Sequence, residues 1–403
     1  MNRFIRVLGS VLLLACLLLA LAVPGSAAKE KVTINVYNWG QYISDGTDGC
    51  INVNAEFTRE TGIEVNYMTF DSNETMYTKL KTGGSSYDVI IPSDYMIARL
   101  IDEDMLLPLD FSNIPNYRYI DDAYKNAEHD PENIYSVPYT WGTVGVIWNS
   151  RYVDEADTGG WDLLWNEKYA GKILMFDNPR DSFAIAEKMF DYSINTRDPD
   201  ELRAAAYKLI EQKPLIQAYV MDQIFDKMER GEAWIAPYYA GDYLLMAEEN
   251  EDLEFYFPEE GFNFFIDAMC IPKSSTNKAG AEAYINFLCD PEVCGENLEY
   301  LGYSATESAA KEYMDEEMNA SEIAYPSEEV LAKGEVFQYL DSETTHLMDA
   351  LWLQVKTEAG DSTDYTPIIG ILTVVVLVGG GVAFSWIRDR RRRANRCRKW
   401  TNA

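Results

Sequence analysis

Hydrophobic and polar positions alternate with two different periods along the first hundred residues. Residues 32–39 and 63–70 have the apolar and β-branched composition of strands, and residues 87–92 form a short apolar run that ends in proline. Between these runs, residues 54–60 and 73–81 have the spacing of helices. Strands that alternate with helices indicate βαβ units and a buried, mostly parallel sheet.

The same alternation returns in the second half of the chain. Its predicted elements are strands at 145–149 and 172–176, helices at 182–192 and 199–212, an extended segment at 233–239, a strand at 262–272 and a helix at 278–288. Roughly 340 residues remain between the two termini, which is enough for two domains. The pattern therefore predicts an α/β fold with more than one domain.

The N-terminal segment has the pattern of a secretory signal peptide. Residues 1–28 combine a basic start, an apolar run at 7–23 and small residues at 25–28. Two alternatives are an uncleaved N-terminal anchor and lipidation at Cys16. In each case the pattern predicts export of the chain.

The C-terminal segment has the pattern of a membrane anchor. A short polar linker at 357–366 precedes an uncharged stretch at 367–387, and a basic tail follows at 388–403. Positive residues stay on the cytoplasmic side of a membrane. The pattern predicts a single-pass protein of the cell membrane, with its large domain outside the cell and its C-terminus in the cytoplasm.

Charge excludes one broad class of partner. The 403-residue chain has 66 acidic and 34 basic residues, and its formal net charge is −32. Such a surface repels nucleic acid and attracts cations. The expected partners are therefore small cations, not nucleic acids.

Motifs of catalysis and metal binding are missing from the sequence. The chain has no nucleophile elbow, no phosphate-binding loop and no paired-histidine zinc motif, and its two histidines lie in polar surroundings. Its six cysteines include no CxxC pair. Cys289 and Cys294 are close enough in sequence for a disulfide, and buried thiols are the alternative. We therefore expect neither an enzyme nor a cofactor or metal site.

Aromatic and acidic residues are what remains for chemistry. The chain contains 27 Tyr, 9 Trp and 16 Phe. Aromatic rings contact the methylene groups of a flexible cation, and carboxylates bind its ammonium groups. Aromatic residues stand at strand ends at 37–39 and 238–239, where open α/β sheets bind ligands.

Seven short blocks in a fixed order resemble the spermidine/putrescine-binding proteins of polyamine ABC transporters. The blocks are YNWGQY at 37–42, ETGI at 60–63, DSNETMY at 71–77, YDVIIPS at 87–93, VPYTWG at 137–142, FID at 265–267 with IP at 271–272, and LGY at 301–303. The resemblance extends over residues 32–355.

This resemblance implies a two-lobed type II periplasmic-binding-protein fold with a hinge. Residues 29–138 and 267–310 would form lobe 1, and residues 139–266 and 311–356 would form lobe 2. The family pattern further implies ligand-binding residues, which are Trp39, Gln41, Tyr42, Ser93 and Tyr95 on the first lobe, Asp181, Tyr239 and Asp242 on the second, and Phe265, Asp267 and Tyr303 at or near the crossings. Among them, Asp267 is the residue that the resemblance assigns most firmly to an amine.

Several positions depart from the family pattern. Gln41 and Asn178 stand where relatives carry acidic residues, and Phe265 stands where spermidine-type members often carry Trp. These changes favour a shorter and less charged polyamine. The last segment of the family pattern contains a glutamine, and either Phe337 or Gln338 can be aligned with it.

The resemblance implies a receptor for putrescine or spermidine that delivers its ligand to an ABC importer, with permease subunits and an ATPase as partners. Two alternatives are a membrane-anchored polyamine sensor and a receptor of the same fold for another organic cation or a peptide.

Overall fold

The structure, a computed structural model, describes residues 31–84 and 86–358 and has a mixed α/β architecture. Eleven strands within these ranges form one sheet. In chain order they are β1 Thr33–Trp39, β2 Glu64–Phe70, β3 Val89–Ile90, β4 Ser136–Asn149, β5 Ile173–Phe176, β6 Ile216–Val220, β7 Ile235–Tyr239, β8 Leu253–Tyr256, β9 Phe262–Cys270, β10 Ser304–Ala305 and β11 Gly334–Val336.

The strands divide into two parallel groups that are separated by two antiparallel strands. The main path of the sheet runs β2-β1-β3-β9-β4-β7-β5-β6. Strand β1 is parallel to β2 and β3, and β5 is parallel to β6 and β7. The predicted βαβ pattern is confirmed within each group.

Helices connect the parallel strands and cover the sheet. The α-helices of the described residues are α1 Val53–Thr61, α2 Asn73–Thr82, α3 Asp94–Asp102, α4 Pro179–Lys188, α5 Pro199–Gln212, α6 Ile224–Glu229, α7 Ala240–Glu249, α8 Lys278–Leu288, α9 Pro291–Leu301, α10 Glu316–Ala320, α11 Glu328–Leu331 and α12 Ser342–Thr357. The helices predicted at 199–212 and 278–288 are confirmed with the same bounds, and those at 54–60 and 73–81 to within one residue.

Local capping explains where the helices near the sheet edge begin. The Ser72 side chain accepts a hydrogen bond from the Thr75 backbone N–H. The Thr75 hydroxyl in turn accepts a hydrogen bond from the Ser72 backbone N–H, which completes a capping box. The Asn178 side chain caps α4 by accepting a hydrogen bond from the backbone N–H of Asp181, and Pro179 takes the first helical position. The helix predicted at 182–192 therefore begins earlier and ends earlier.

Strand β4 joins the two groups. Its first half pairs with β9, from Ser136 opposite Cys270 to Thr143 opposite Phe264, and its second half pairs with β7 and β8. The sequence predicted only residues 145–149 as strand, because Pro138 and two glycines interrupt the pattern. The structure accommodates Pro138 at an irregularity in the register with β9.

Each group of strands has its own hydrophobic core. The largest cluster surrounds β5 and β7 and includes Phe176, Leu209 and Met348. Two others surround β1 and β3, and they include Tyr284 and Ile97. The apolar strand residues are thus buried on both faces, as expected for parallel strands.

The predicted localisation in the cell membrane, as a single-pass protein, is corrected. The longest helix of the described residues, α12, has 16 residues; at about 1.5 Å per residue it is shorter than a hydrocarbon core. No helix in the described part of the chain is both long and apolar enough to cross a membrane. The predicted signal peptide at 1–28, span at 367–387 and tail at 388–403, and the linker from 359 on, lie outside the described residues.

Cysteine chemistry is settled for three positions. Cys270, Cys289 and Cys294 are free and buried. Of the two alternatives for Cys289 and Cys294, the structure therefore favours buried thiols.

Candidate ligand-binding site

A single cavity collects the carboxyl ends of both groups of parallel strands. The loops after β1, β2 and β3 and the loops after β5, β6 and β7 all line it. Together with the solvent at its mouth, the cavity has a volume of about 900 Å³. This is the position at which open α/β sheets bind ligands.

All of the predicted site residues line this cavity. They are Trp39, Gln41, Tyr42, Ser93, Tyr95, Asp181, Tyr239, Asp242, Phe265, Asp267 and Tyr303. The structure therefore brings together residues that are up to 264 positions apart in the chain. Their part in binding remains a prediction.

Aromatic rings that line the cavity form a continuous row. The Tyr42 ring meets the Tyr303 ring edge-on, with centroids 5.2 Å apart, and Tyr303 lies 6.5 Å from Phe265. Phe265 in turn lies 5.5 Å from Tyr239, which packs against Tyr238 at 4.9 Å. Such a row can contact a string of methylene groups along its length.

Asp267, on β9, is a buried carboxylate with spare hydrogen-bonding capacity. Its Oδ2 accepts a hydrogen bond of 2.8 Å from the Tyr42 hydroxyl, whereas its Oδ1 is buried and has no partner. Burial raises the pKa of Asp267 to about 6, and the nearby side chains of Ser93 and Tyr42 limit the rise. A cationic donor beside Oδ1 would relieve both the missing bond and the buried charge.

Asp181 stands in the first turn of α4. Its Oδ2 accepts hydrogen bonds from the Asn178 side-chain amide at 2.7 Å and from the Tyr239 hydroxyl at 2.9 Å. Burial raises the pKa of Asp181, and these two donors lower it. Asn178, which replaces an acidic residue of the family pattern, therefore serves both as the helix cap and as a clamp on Asp181.

Asp242 and Asp222 face the cavity from the ends of β7 and β6. Burial raises the pKa of Asp242 to about 8, the charge of Asp222 raises it further, and the Tyr303 hydroxyl opposes the rise. Burial also raises the pKa of Asp222, with a further contribution from the charge of Asp71. These carboxylates thus disfavour one another's ionised forms.

A polar network fixes the side of the cavity near β3. The Tyr95 hydroxyl donates a 2.8 Å hydrogen bond to Glu74, and the Asn73 amide donates to the Ser93 and Tyr95 oxygens at 3.2 and 3.1 Å. The backbone of Ser93 also forms an isolated antiparallel bridge with that of Asp267. The network orients Ser93 and Tyr95 towards the cavity.

Arg180 is the one basic residue that lines the cavity in the described part of the chain. Its guanidinium lies over the Phe337 ring at 4.3 Å and donates to Asn195 at 3.1 Å. Burial lowers the pKa of Arg180. Six carboxylates therefore line the cavity against one guanidinium, and they are Asp71, Glu74, Asp181, Asp222, Asp242 and Asp267.

Several residues that line the cavity were not predicted from the sequence. Asp222 was missed because the strand before it, Ile216–Val220, was not predicted, although a polar residue directly after that strand is the available signal. Between the two competing positions near the C-terminus, Phe337 lines the cavity, whereas the Gln338 side chain donates to Glu128 at 2.9 Å. Within the described residues, no group of His, Cys, Asp or Glu is arranged to hold a metal ion.

The family follows from a comparison with known sequences. A family model described as bacterial extracellular solute-binding protein matches residues 52–324. The chain belongs to this family. Its members are solute-binding components of transporters, which is not a class of enzyme.

Named relatives cover most of this chain. The spermidine/putrescine-binding periplasmic protein of Salmonella typhimurium is 35% identical over 324 residues, covering 80% of this chain and 91% of the relative. The putrescine-binding periplasmic protein of Pseudomonas aeruginosa is 31% identical over 364 residues, covering 84% and 97%. Both are named as periplasmic, in line with the correction to the predicted membrane localisation.

Solved structures agree with the α/β periplasmic-binding-protein fold. The spermidine/putrescine ABC transporter substrate-binding protein of Streptococcus pneumoniae, in complex with calcium and HEPES, is 40% identical with a TM-score of 0.69, covering 81% of this chain and 98% of that one. A lipoprotein of Treponema pallidum is 26% identical with a TM-score of 0.71, covering 80% and 99%.

Proposed function

We propose that this protein is a polyamine receptor, which captures putrescine or spermidine and delivers it to the permease subunits of an ABC importer. The observation that carries the proposal is the combination, in one cavity, of ten aromatic side chains, six carboxylates and one guanidinium. No covalent step is involved, and the names of the relatives support the choice of ligand.

The chemistry of the cavity selects cations with apolar spacers. Charge-assisted hydrogen bonds contribute roughly 1.5–3 kcal/mol each, and each cation–π contact contributes on the order of 0.5–2 kcal/mol. Asp267, with its unpartnered Oδ1, would bind one ammonium group. The row of rings from Tyr42 to Tyr238 would contact the methylene chain.

The receptor would work by hinge closure between two lobes. The proposed lobes follow the predicted boundaries, with residues 29–138 and 267–310 in one and 139–266 and 311–356 in the other. The separate hydrophobic cores support this division. Met314 and Met318, however, pack in a core around β1, which favours a boundary between the lobes later in the chain than residue 310. Closure would draw both sets of strand ends onto the ligand, and the loaded form would be the one the permease recognises.

Calorimetric titration of the purified protein with putrescine, spermidine, spermine and glycine betaine tests the proposal. We expect binding of at least one polyamine and none of glycine betaine, whose quaternary ammonium cannot donate a hydrogen bond. An absence of heat from every polyamine would reject the proposal. Binding of glycine betaine alone would instead identify a receptor for another organic cation.

A further inference from the structure

Asp222 lies at one of the places where the two groups of strands approach each other across the cavity. It follows β6 and precedes α6, and its side chain reaches the loop after β1. A methyl group placed on Gly40 would lie 2.9 Å from the Asp222 Oδ2 atom, and no other neighbour would lie within 4 Å except Cγ of the same side chain. The carboxylate therefore abuts the backbone of the opposite half of the sheet.

The charges around Asp222 are negative. The charge of Asp71, in the loop after β2, raises the pKa of Asp222. The charge of Asp222 in turn raises the pKa of Asp242. Among the described residues that line the cavity, Arg180 is the only basic one. Its charge instead lowers the pKa of Asp181 and that of Asp94. One end of the cavity is thus acidic and has no resident counter-charge.

A second group of carboxylates, Asp181 and Asp267, also lines the cavity. The charge of Asp181 raises the pKa of Asp267, which lies on β9, whereas the charge of Asp222 raises the pKa of Asp242. Tyr303 is close to both groups, because its ring packs against Tyr42, which donates to Asp267, and lies against Gly241, the residue before Asp242. A linear ligand with an amine at each end matches this arrangement.

On the basis of the proposed function, we propose that Asp222 is a ligand-contacting residue that shares with Asp242 the subsite for the amine remote from Asp267. Its position against Gly40 means that this contact is complete only when the two halves of the sheet have approached each other. The ammonium group relieves the repulsion among the carboxylates and thereby favours the closed arrangement.

A mutant cycle on the whole protein, followed by calorimetry with putrescine, tests the assignment. We expect Asp222→Asn to weaken putrescine binding by about tenfold or more. Because the two carboxylates would hold one ammonium group, adding Asp222→Asn to Asp242→Asn should cost much less than tenfold. Adding it to Asp267→Asn, at the other end, should retain the full factor.

Asp200→Asn is the matched control, because it removes the same charge from an exposed side chain of α5 that is 92% accessible. We expect it to leave putrescine affinity unchanged. Thermal unfolding of each variant establishes that it is folded, and Asp222→Ser replaces any Asn variant that is not.

A ligand with one amine, n-butylamine, should be nearly insensitive to Asp222→Asn if it binds through Asp267.

The outcomes separate this inference from the function on which it rests. If the unsubstituted protein binds no polyamine, the proposed function fails and the inference fails with it. If it binds putrescine and Asp222→Asn has no effect, or only the effect of Asp200→Asn, the inference alone is overturned. Full additivity with Asp242→Asn would likewise overturn the shared subsite.

Discussion

At the scale of single residues, buried carboxylates dominate the chemistry of the cavity. Asp267 is 4% exposed, yet only one of its oxygens has a hydrogen-bond partner. An isolated buried charge is costly, and a fold that needed Asp267 only for stability would satisfy both oxygens. A role in ligand binding accounts for the unpartnered oxygen.

Replacing Asp267 by Asn tests this role. We expect Asp267→Asn to weaken putrescine binding by about 2 kcal/mol or more, because the ammonium group loses its charged acceptor. The Tyr42 hydroxyl retains an acceptor in the amide oxygen, so the change in thermal stability should be small. The Kd from calorimetry and the Tm measure the two effects, and an unchanged affinity would reassign Asp267 to a structural role.

Proton release is a second prediction at this scale. Burial raises the pKa of Asp242 to about 8 and that of Asp267 to about 6, whereas the pKa of an aspartate in the unfolded chain is about 3.9. The folded, ligand-free protein therefore holds protons that the unfolded chain has lost. Through these groups its stability falls as pH rises from about 4 to 8.

A polyamine favours the ionised carboxylates, so it should release about one proton at pH 7 and bind more tightly as pH rises from 5.5 to 8. Calorimetry in two buffers of different ionisation enthalpy measures the release. Burial also raises the pKa of Glu187 to about 8, but Glu187 does not line the cavity, so the ligand should not release its proton. Release that persists undiminished in Asp242→Asn would contradict the assignment.

At the scale of elements, regular segments with clear ends were predictable and interrupted ones were not. The helix Pro199–Gln212 was predicted with the correct bounds because its apolar spacing is regular and a capping Asp198 precedes it. Strand β4 was predicted only in part, because its glycines have a tertiary role. A Cβ on Gly142 would come within 2.6 Å of the Phe265 ring. No local signal in the sequence reveals that contact.

The same distinction applies to the site. The positions of predicted strand ends indicated only the aromatic residues at 37–39 and 238–239, and the family resemblance supplied the other predicted site residues. Asp222 was not identified because Ile216–Val220 is only half-buried along most of its length and has no clear apolar alternation. Its partner across the cavity, Gly40, becomes apparent only in three dimensions.

The start of α4 offers a test of ligand length. Asn178→Asp preserves the cap and places a second negative charge beside Asp181, whose Oδ2 is now 2.7 Å from the Asn178 amide. We expect the ratio of spermidine to putrescine affinity to rise by about tenfold, because the added charge favours a third ammonium group. Competitive titration measures the ratio.

Asn178→Ala is the control for the cap itself. It should lower stability by about 1 kcal/mol without raising the spermidine ratio. An equal change of the ratio in both variants would show that the cap, and not the charge, determines the preference.

At the scale of the whole molecule, contacts across the cavity join segments that belong to different hydrophobic cores. A Cβ on Gly241, at the start of α7, would meet the Tyr303 ring at 2.7 Å, and the Gln338 amide binds Glu128. Gly40 against Asp222 is a third contact of this kind. Under the proposed hinge mechanism, opening of the cavity would break these contacts.

Gly40→Val tests whether this approach of the two halves is required for binding. The Cβ of the new side chain would meet only the Asp222 carboxylate within 4 Å, so we expect the Tm of the ligand-free protein to be nearly unchanged. It should hold the halves apart, weaken putrescine binding by at least about tenfold and abolish the contraction that small-angle scattering would detect when ligand is added to the unsubstituted protein. Adding Asp222→Ala should restore the contraction because it removes the obstructing carboxylate, although affinity would remain low without that charge. A Gly40→Val protein that contracts and binds normally would exclude closure at this contact and place the hinge movement elsewhere.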